Sequence, residues 1–255
     1  MAVESPVFLP NINLVMACLI TGVHDVNRNT TLQDDSFDLV NDWKKSITAA
    51  NLQGVIFHNN FSEETCKSIE NEYIRTIKIN YDPQFKPNVF RYFVYRDFLK
   101  QHIQQINGIF ITDITDVVLV KNPFIDPIFI ENPNTLFCGD EPKILHNEWM
   151  IAHGDYLRIN ISDYAAYENT FGNATLLNCG IIGGSAPLFF DFLQKLCEIH
   201  QNANRNNNTA YTGDMGVFNY LLRTEFNHQL IHGPPVNTIF KQYEIDRNDC
   251  WFRHK

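Results

Sequence analysis

Ile109-Phe110-Ile111-Thr112-Asp113-Ile114-Thr115-Asp116-Val117-Val118-Leu119-Val120 carries one apolar run into two aspartates and leaves as a second apolar run that closes at Pro123. The first run reads as a buried strand. Carboxylates placed where a buried strand surfaces cost desolvation energy unless a cation meets them. A hard divalent ion shared with substrate phosphate suits the pair, because such ions take one or two carboxylates plus substrate oxygens. The plainer reading puts both side chains in a solvated turn. Asp113 and Asp116 are three positions apart, so a straight strand would send them to opposite faces. They converge only if the chain turns at Ile114-Thr115, and the spacing therefore predicts a tight turn or bulge there.

Working outward, 255 residues suit one large α/β domain with a sizeable core, and 44% hydrophobic against 19% charged residues describe an ordinary globular chain. The net charge of −9 argues against nucleic acid or an anionic membrane as partner. It also means that phosphate handling needs a metal ion or a few placed Arg and Lys. Six scattered cysteines offer no zinc-ligand spacing and fit free thiols in a reducing compartment. The early apolar run at residues 14–20 is too short for a bilayer and has no basic flank, so the expectation is a cytoplasmic protein without a membrane span.

Short apolar runs alternate with helical patterns, which argues for βαβ units, a mainly parallel sheet and a single domain. Strands are expected at 14–21, 54–58, 76–80, 108–112, 136–138 and 176–183, the last closed by Gly183-Gly184. Helices are expected at 36–51 with Ser36 as cap, from Ser62, at 88–106, at 186–201 with Pro187 in the first turn, and at 213–226. Residues 201–209, with five asparagines, read as an exposed loop, and residues 230–255 as an extended tail around Pro234-Pro235.

Five features follow one another: a first strand ending in Thr21-Gly22, the helix with Arg91 and Arg96, the Asp113/Asp116 pair, Leu177-Asn178-Cys179-Gly180, and His232-Gly233-Pro234-Pro235. This order, spanning nearly the whole chain, resembles the GT-A family of nucleotide-sugar glycosyltransferases. That family holds a divalent metal on the donor diphosphate with an Asp-x-Asp motif, from which Asp-Ile-Thr-Asp departs. The resemblance implies an α/β fold: a single GT-A-like domain with a mainly parallel Rossmann-like central sheet flanked by helices. Residues 1–112 would form the nucleotide-binding half and 113–255 the metal and acceptor half. The compact form is also similar to the small glycosyltransferases of large algal viruses.

The resemblance further implies Mn²⁺ or Mg²⁺ on Asp113 and Asp116, with His232 as third ligand, a reasonable Mn²⁺ set although a lone His is as often structural. It implies donor contacts from Arg91, Asn178 and Gly180 and from Asp113 through the metal. Arg91 could equally be an ion-pair partner, and Asn178 and Gly180 could serve packing alone. Asp214 is either a helix cap or the general base on an acceptor hydroxyl, with Asp140 and Glu141 as rival bases. Thr21 and Gly22 lie at a strand's carboxyl end, where open α/β sheets bind nucleotides. The activity expected is transfer of a hexosyl or pentosyl group from a nucleotide-sugar donor, UDP-linked with UDP-xylose as the candidate, to a glycan acceptor. The rivals are a catalytically silent nucleotide-sugar-binding or lectin-like protein, a sugar-phosphate nucleotidyltransferase, and a glycosidase with two carboxylates and no metal.

Overall fold

The computed structural model describes residues 11–25, 29–203 and 213–255. Its elements, in order, are β1 (Ile12–Leu19), a short hairpin β2 (His24–Asp25) and β3 (Thr30–Thr31), α1 (Asp38–Ala49), β4 (Gln53–His58), α2 (Glu63–Ile69), β5 (Ile74–Lys78) and α3 (Pro87–His102). There follow β6 (Ile106–Thr112), β7 (Val117–Leu119), α4 (Pro127–Glu131), β8 (Leu136–Ile144), α5 (Glu148–Asn160) and α6 (Tyr164–Phe171). The last are β9 (Thr175–Ser185), α7 (Ala186–Ala203), α8 (Asp214–Glu225), β10 (Leu230–His232) and β11 (Phe252–His254).

Seven strands form one sheet in the order β10-β8-β9-β6-β1-β4-β5. β9 alone runs antiparallel to its neighbours β6 and β8, and the other pairs are parallel. The sheet is therefore mainly parallel, as the alternation of elements predicts. Side chains alternate across it: Leu14 and Met16 of β1 join the core under α3, α7 and α8, while Val15 and Ala17 face a second core with Trp43, Phe124 and Trp251. Burial on both faces explains why these strands read as continuous apolar runs.

Several boundaries differ from the sequence reading. α1 starts at Asp38 and Ser36 is not its cap, the N-cap being Phe37 with no side-chain bond. Ser62 does cap α2, accepting from Thr65 N–H at 3.1 Å. β9 does not close at Gly183-Gly184. It runs on to Ser185, pairing Gly183, Gly184 and Ser185 with Phe110, Ile109 and Gly108 of β6, and glycine at 183 admits the Ile109 carbonyl and the Phe110 ring, against both of which a methyl would clash, at 2.5 Å for the ring. β8 extends past Cys138 through Gly139, Asp140 and Glu141, and the tail supplies two strands, β10 and β11. Helices α5 and α6 have no counterpart in the sequence reading. Residues 204–209 of the asparagine-rich segment lie outside the described residues.

Candidate active site

β6 ends at Thr112, the chain bends through residues 114–116, and β7 begins at Val117. This is the break in the strand that the Asp113/Asp116 spacing requires. Three contacts fix it. Trp43 Nε1 donates to Thr112 Oγ1 at 2.7 Å, Asp113 N–H donates to Gly180 O at 2.7 Å, and Ile114 is buried in the second core.

The bend brings Asp113 and Asp116 together with His254, each offering one ligand atom, all within 4.8 Å of one another. His254 arrives because β11 pairs antiparallel with β7, His254 opposite Val117, and Lys255 N–H donates to Asp116 O at 2.8 Å. Trp251, fully buried, anchors that strand and donates from Nε1 to Asp126 Oδ2 at 3.0 Å. Donors around a small divalent ion at about 2.1 Å stand roughly 3 to 4 Å apart, so the three groups need only a slight closure.

His254 is 2% exposed, and its Nδ1 is buried with no hydrogen-bond partner. An orphaned nitrogen of this kind costs about 1–3 kcal/mol, and a cation or water bound by that nitrogen would remove the cost. Burial holds the His254 pKa below its ordinary value, against the pull of Asp113, Asp116 and Glu141. The ring is thus neutral at neutral pH, the form that binds metals. The donor set fits Mn²⁺ or Mg²⁺.

Gly180 is the floor of this arrangement. A methyl there would stand 2.7 Å from His254 Cε1, 2.8 Å from Asn178 Oδ1 and 2.9 Å from Asp113 Oδ2. Asn178 accepts from Gly180 N–H at 2.7 Å and donates to Glu141 Oε1 at 2.9 Å, so Asn178, Gly180 and the buried Glu141 lie beside the acidic pair. Arg91 of α3 pairs with Asp113 Oδ1 and donates to Cys179 O at 3.3 Å.

Asp214 is the first residue of α8 rather than its cap, and it is 4% exposed. Cys179 Sγ lies 3.6 Å from its carboxylate. Burial raises its pKa, while Arg91, Asn88 and the Met215 N–H oppose the rise.

His232 is placed elsewhere. Its Nδ1 lies 2.9 Å from Asp140 Oδ2, and its Nε2 lies 3.5 Å from Arg223 Nη2. Arginine only donates, so in the neutral ring Nε2 takes the lone pair and Nδ1 carries the proton given to Asp140. Both nitrogens are occupied by protein. His232 therefore does not stand with Asp113 and Asp116, and Asp140 is bound to His232 rather than standing open as a base. The imidazole beside the acidic pair is His254, which sequence reasoning missed. The signal was the period of two at the end of the chain, which puts His254 on the same face as Phe252.

At the carboxyl end of β1, Thr21 is clamped by Asn59, which accepts its N–H and donates to its carbonyl, both at 2.9 Å. Gly22 follows at φ +74°, and Asn60 bridges Thr21 O at 3.2 Å and Asp34 Oδ1 at 2.9 Å. Hydrogen bonds from Thr21 and Asn60 hold the Asp34 carboxyl below its usual range. Asn59 and Asn60 were legible as polar residues closing the 54–58 strand, but only the fold sets them against Thr21.

No family model matches the sequence, and no curated protein matches it. Among solved structures the chain is similar to the galactosyltransferase LgtC, determined in complex with donor and acceptor sugar analogs. The TM-score is 0.53 at 14% identity, over 95% of this chain and 86% of that one. At that identity the likeness concerns the fold. The chain has a single GT-A-like α/β domain, and no described helix is long and apolar enough to cross a membrane.

Proposed function

We propose that this protein is a metal-dependent glycosyltransferase that moves a sugar from a nucleotide-diphosphate donor to a hydroxyl of a glycan acceptor. One observation carries the reading: two carboxylates and an orphaned buried imidazole meet at the carboxyl edge of a parallel sheet of the fold that LgtC also has.

In this reading Asp113, Asp116 and His254 hold Mn²⁺ or Mg²⁺. When bound, the ion supplies Lewis-acid neutralisation of charge on the departing nucleotide diphosphate. The nucleotide lies along Thr21-Gly22 with its clamp of Asn59 and Asn60, and the donor sugar lies against Asn178 and Gly180. Asp214 takes the proton of the acceptor hydroxyl in an inverting transfer, because a carboxyl whose pKa burial raises is a better proton acceptor near neutral pH. Glu141 orients Asn178. The donor is expected to be a UDP-hexose or UDP-pentose such as UDP-xylose, on the family resemblance.

A thermal-shift screen of UDP, GDP and their sugars, each with Mn²⁺ and with chelator, tests this. Ligand that binds the folded state raises its stability according to concentration over Kd. A shift seen with a uridine nucleotide only in the presence of metal supports the reading, and sugar release or transfer then separates turnover from binding. Absence of any nucleotide shift overturns it. The near-complete burial of Asp214 favours one second reading, metal-dependent binding without turnover, whose signature is a shift with no transfer to any glycan.

A further inference from the structure

Arg91 is not a free arm. Its side chain is 11% exposed and packs over Tyr92, among the buried Tyr95, Cys179 and Asp214. Nε donates to Asn88 O at 3.0 Å, Nη1 to Asp113 Oδ1, and Nη2 faces Cys179 O at 3.3 Å and Cys179 Sγ at 3.5 Å. All three nitrogens are thus committed to protein. Burial works against the charge, and the Asp113 carboxylate together with Tyr92, Cys179 and Tyr95 more than restores it.

This bears on the acidic pair, because the terminal torsion of an aspartate is soft and roughly two-fold. With Oδ1 fixed by Arg91 and the backbone fixed by Gly180 O, Oδ2 has one place to be: over Gly180, beside His254. The charges agree. Asp113, Asp116, Asp214 and the neighbouring Glu141 bring more negative charge than Arg91's one positive offsets, an excess that a cation reduces.

We infer that Arg91 is a positioning residue for the cation site, setting Asp113 so that its second oxygen faces the ion, rather than a contact to the donor sugar. The inference rests on the metal site proposed above. It departs from simple electrostatics: deleting a positive charge beside a cation site should by itself tighten cation binding, whereas loss of positioning loosens it.

The test is Mn²⁺ titration without nucleotide, followed by the electron paramagnetic resonance signal of free Mn²⁺, on wild type, Arg91→Gln and Arg91→Lys. Melting temperature reports that each variant is folded. Arg91→Gln is expected to raise the Mn²⁺ Kd about tenfold or more, the usual cost of losing a partner of a metal ligand. Arg91→Lys recovers only part, since an ammonium lacks the planar fork. If Arg91→Gln does not fold, Arg91→Lys decides by the same measurement. An unchanged or tighter Mn²⁺ Kd in the folded variants overturns the inference, and a rise in donor KM alone reassigns Arg91 to the donor. Wild type that binds no Mn²⁺ overturns the metal site itself, and this inference with it.

Discussion

His232 closes β10 and His254 closes β11, both at strand ends and both near carboxylates, yet their surroundings give them different chemistry. His232 is half-buried, gives its Nδ1 proton to Asp140 and meets Arg223 at Nε2. Asp140 is in turn held through its backbone by Asn237, which accepts its N–H at 3.2 Å and donates to its carbonyl at 3.1 Å. That network joins β8, α8 and β10 and engages both ring nitrogens of His232. His254 is almost wholly buried, with Nδ1 unmet by protein and two carboxylates within reach. A histidine's role is set by what its two nitrogens lack, and closeness to an acidic residue does not distinguish a ligand from a brace.

The sharpest way to break the comparison is His254→Ala. Removing a ligand is expected to abolish the Mn²⁺-dependent thermal shift and to lower transfer by two orders of magnitude or more, since metal stabilisation of developing charge amounts to several kcal/mol. Retained metal dependence would remove His254 from the site. Next comes Gly180→Ala. The added methyl would press on His254, Asn178 and Asp113, and Mn²⁺ affinity should fall about tenfold, the order seen when support around a metal ligand is disturbed, with the melting temperature lowered by a few degrees because overpacking costs about 1–3 kcal/mol.

A third histidine supplies a reference away from both of these. His200 of α7 is fully buried and stacks on Tyr92 at 5.9 Å, and burial pushes its pKa down to about 3. The native state refuses a proton that the unfolded chain accepts below about 6.5. Its contribution to stability is therefore complete above pH 6.5 and lost as pH falls toward 3, with a slope of about 1.4 kcal/mol per pH unit. Urea denaturation across pH 3.5–6.5 should show His200→Phe flattening that slope. An identical pH dependence in the variant would show that the ring is protonated in the native state.

The smallest effect is expected on the other side of the comparison. Asp140→Asn removes a charged partner from His232 and should cost about 1–2 kcal/mol of folding stability, while leaving the Mn²⁺ Kd unchanged. A Mn²⁺ Kd that rises with Asp140→Asn would return the β10 histidine to the cation site.

Much of the sheet was legible because β1, β4 and β6 are buried on both faces, which leaves uninterrupted apolar runs in the chain. The bend after β6 was legible too, since only a break lets residues 113 and 116 share a face. β8 was read short because Gly139 breaks the apolar run and Asp140 and Glu141 are charged, and their place in the strand depends on Asn178, Asn237 and His232 arriving from other elements. Helices α5 and α6 are weakly amphipathic, and their packing on α8 gives no strong period. The C-terminal strand was missed because three residues, Phe252 to His254, are too short to announce a strand alone.

The sequence by itself determined the strand-helix alternation, the acidic pair and the need for a turn between its members, because these follow from local periodicity and the alternation of side chains. Which imidazole joins that pair, which oxygen of Asp113 faces it, and which carboxyls are already bound were decided only by the tertiary structure. The reason is physical: those outcomes depend on hydrogen-bond partners brought from about twenty to more than a hundred residues away, Arg91 to Asp113, Asn237 to Asp140, and β11 onto β7.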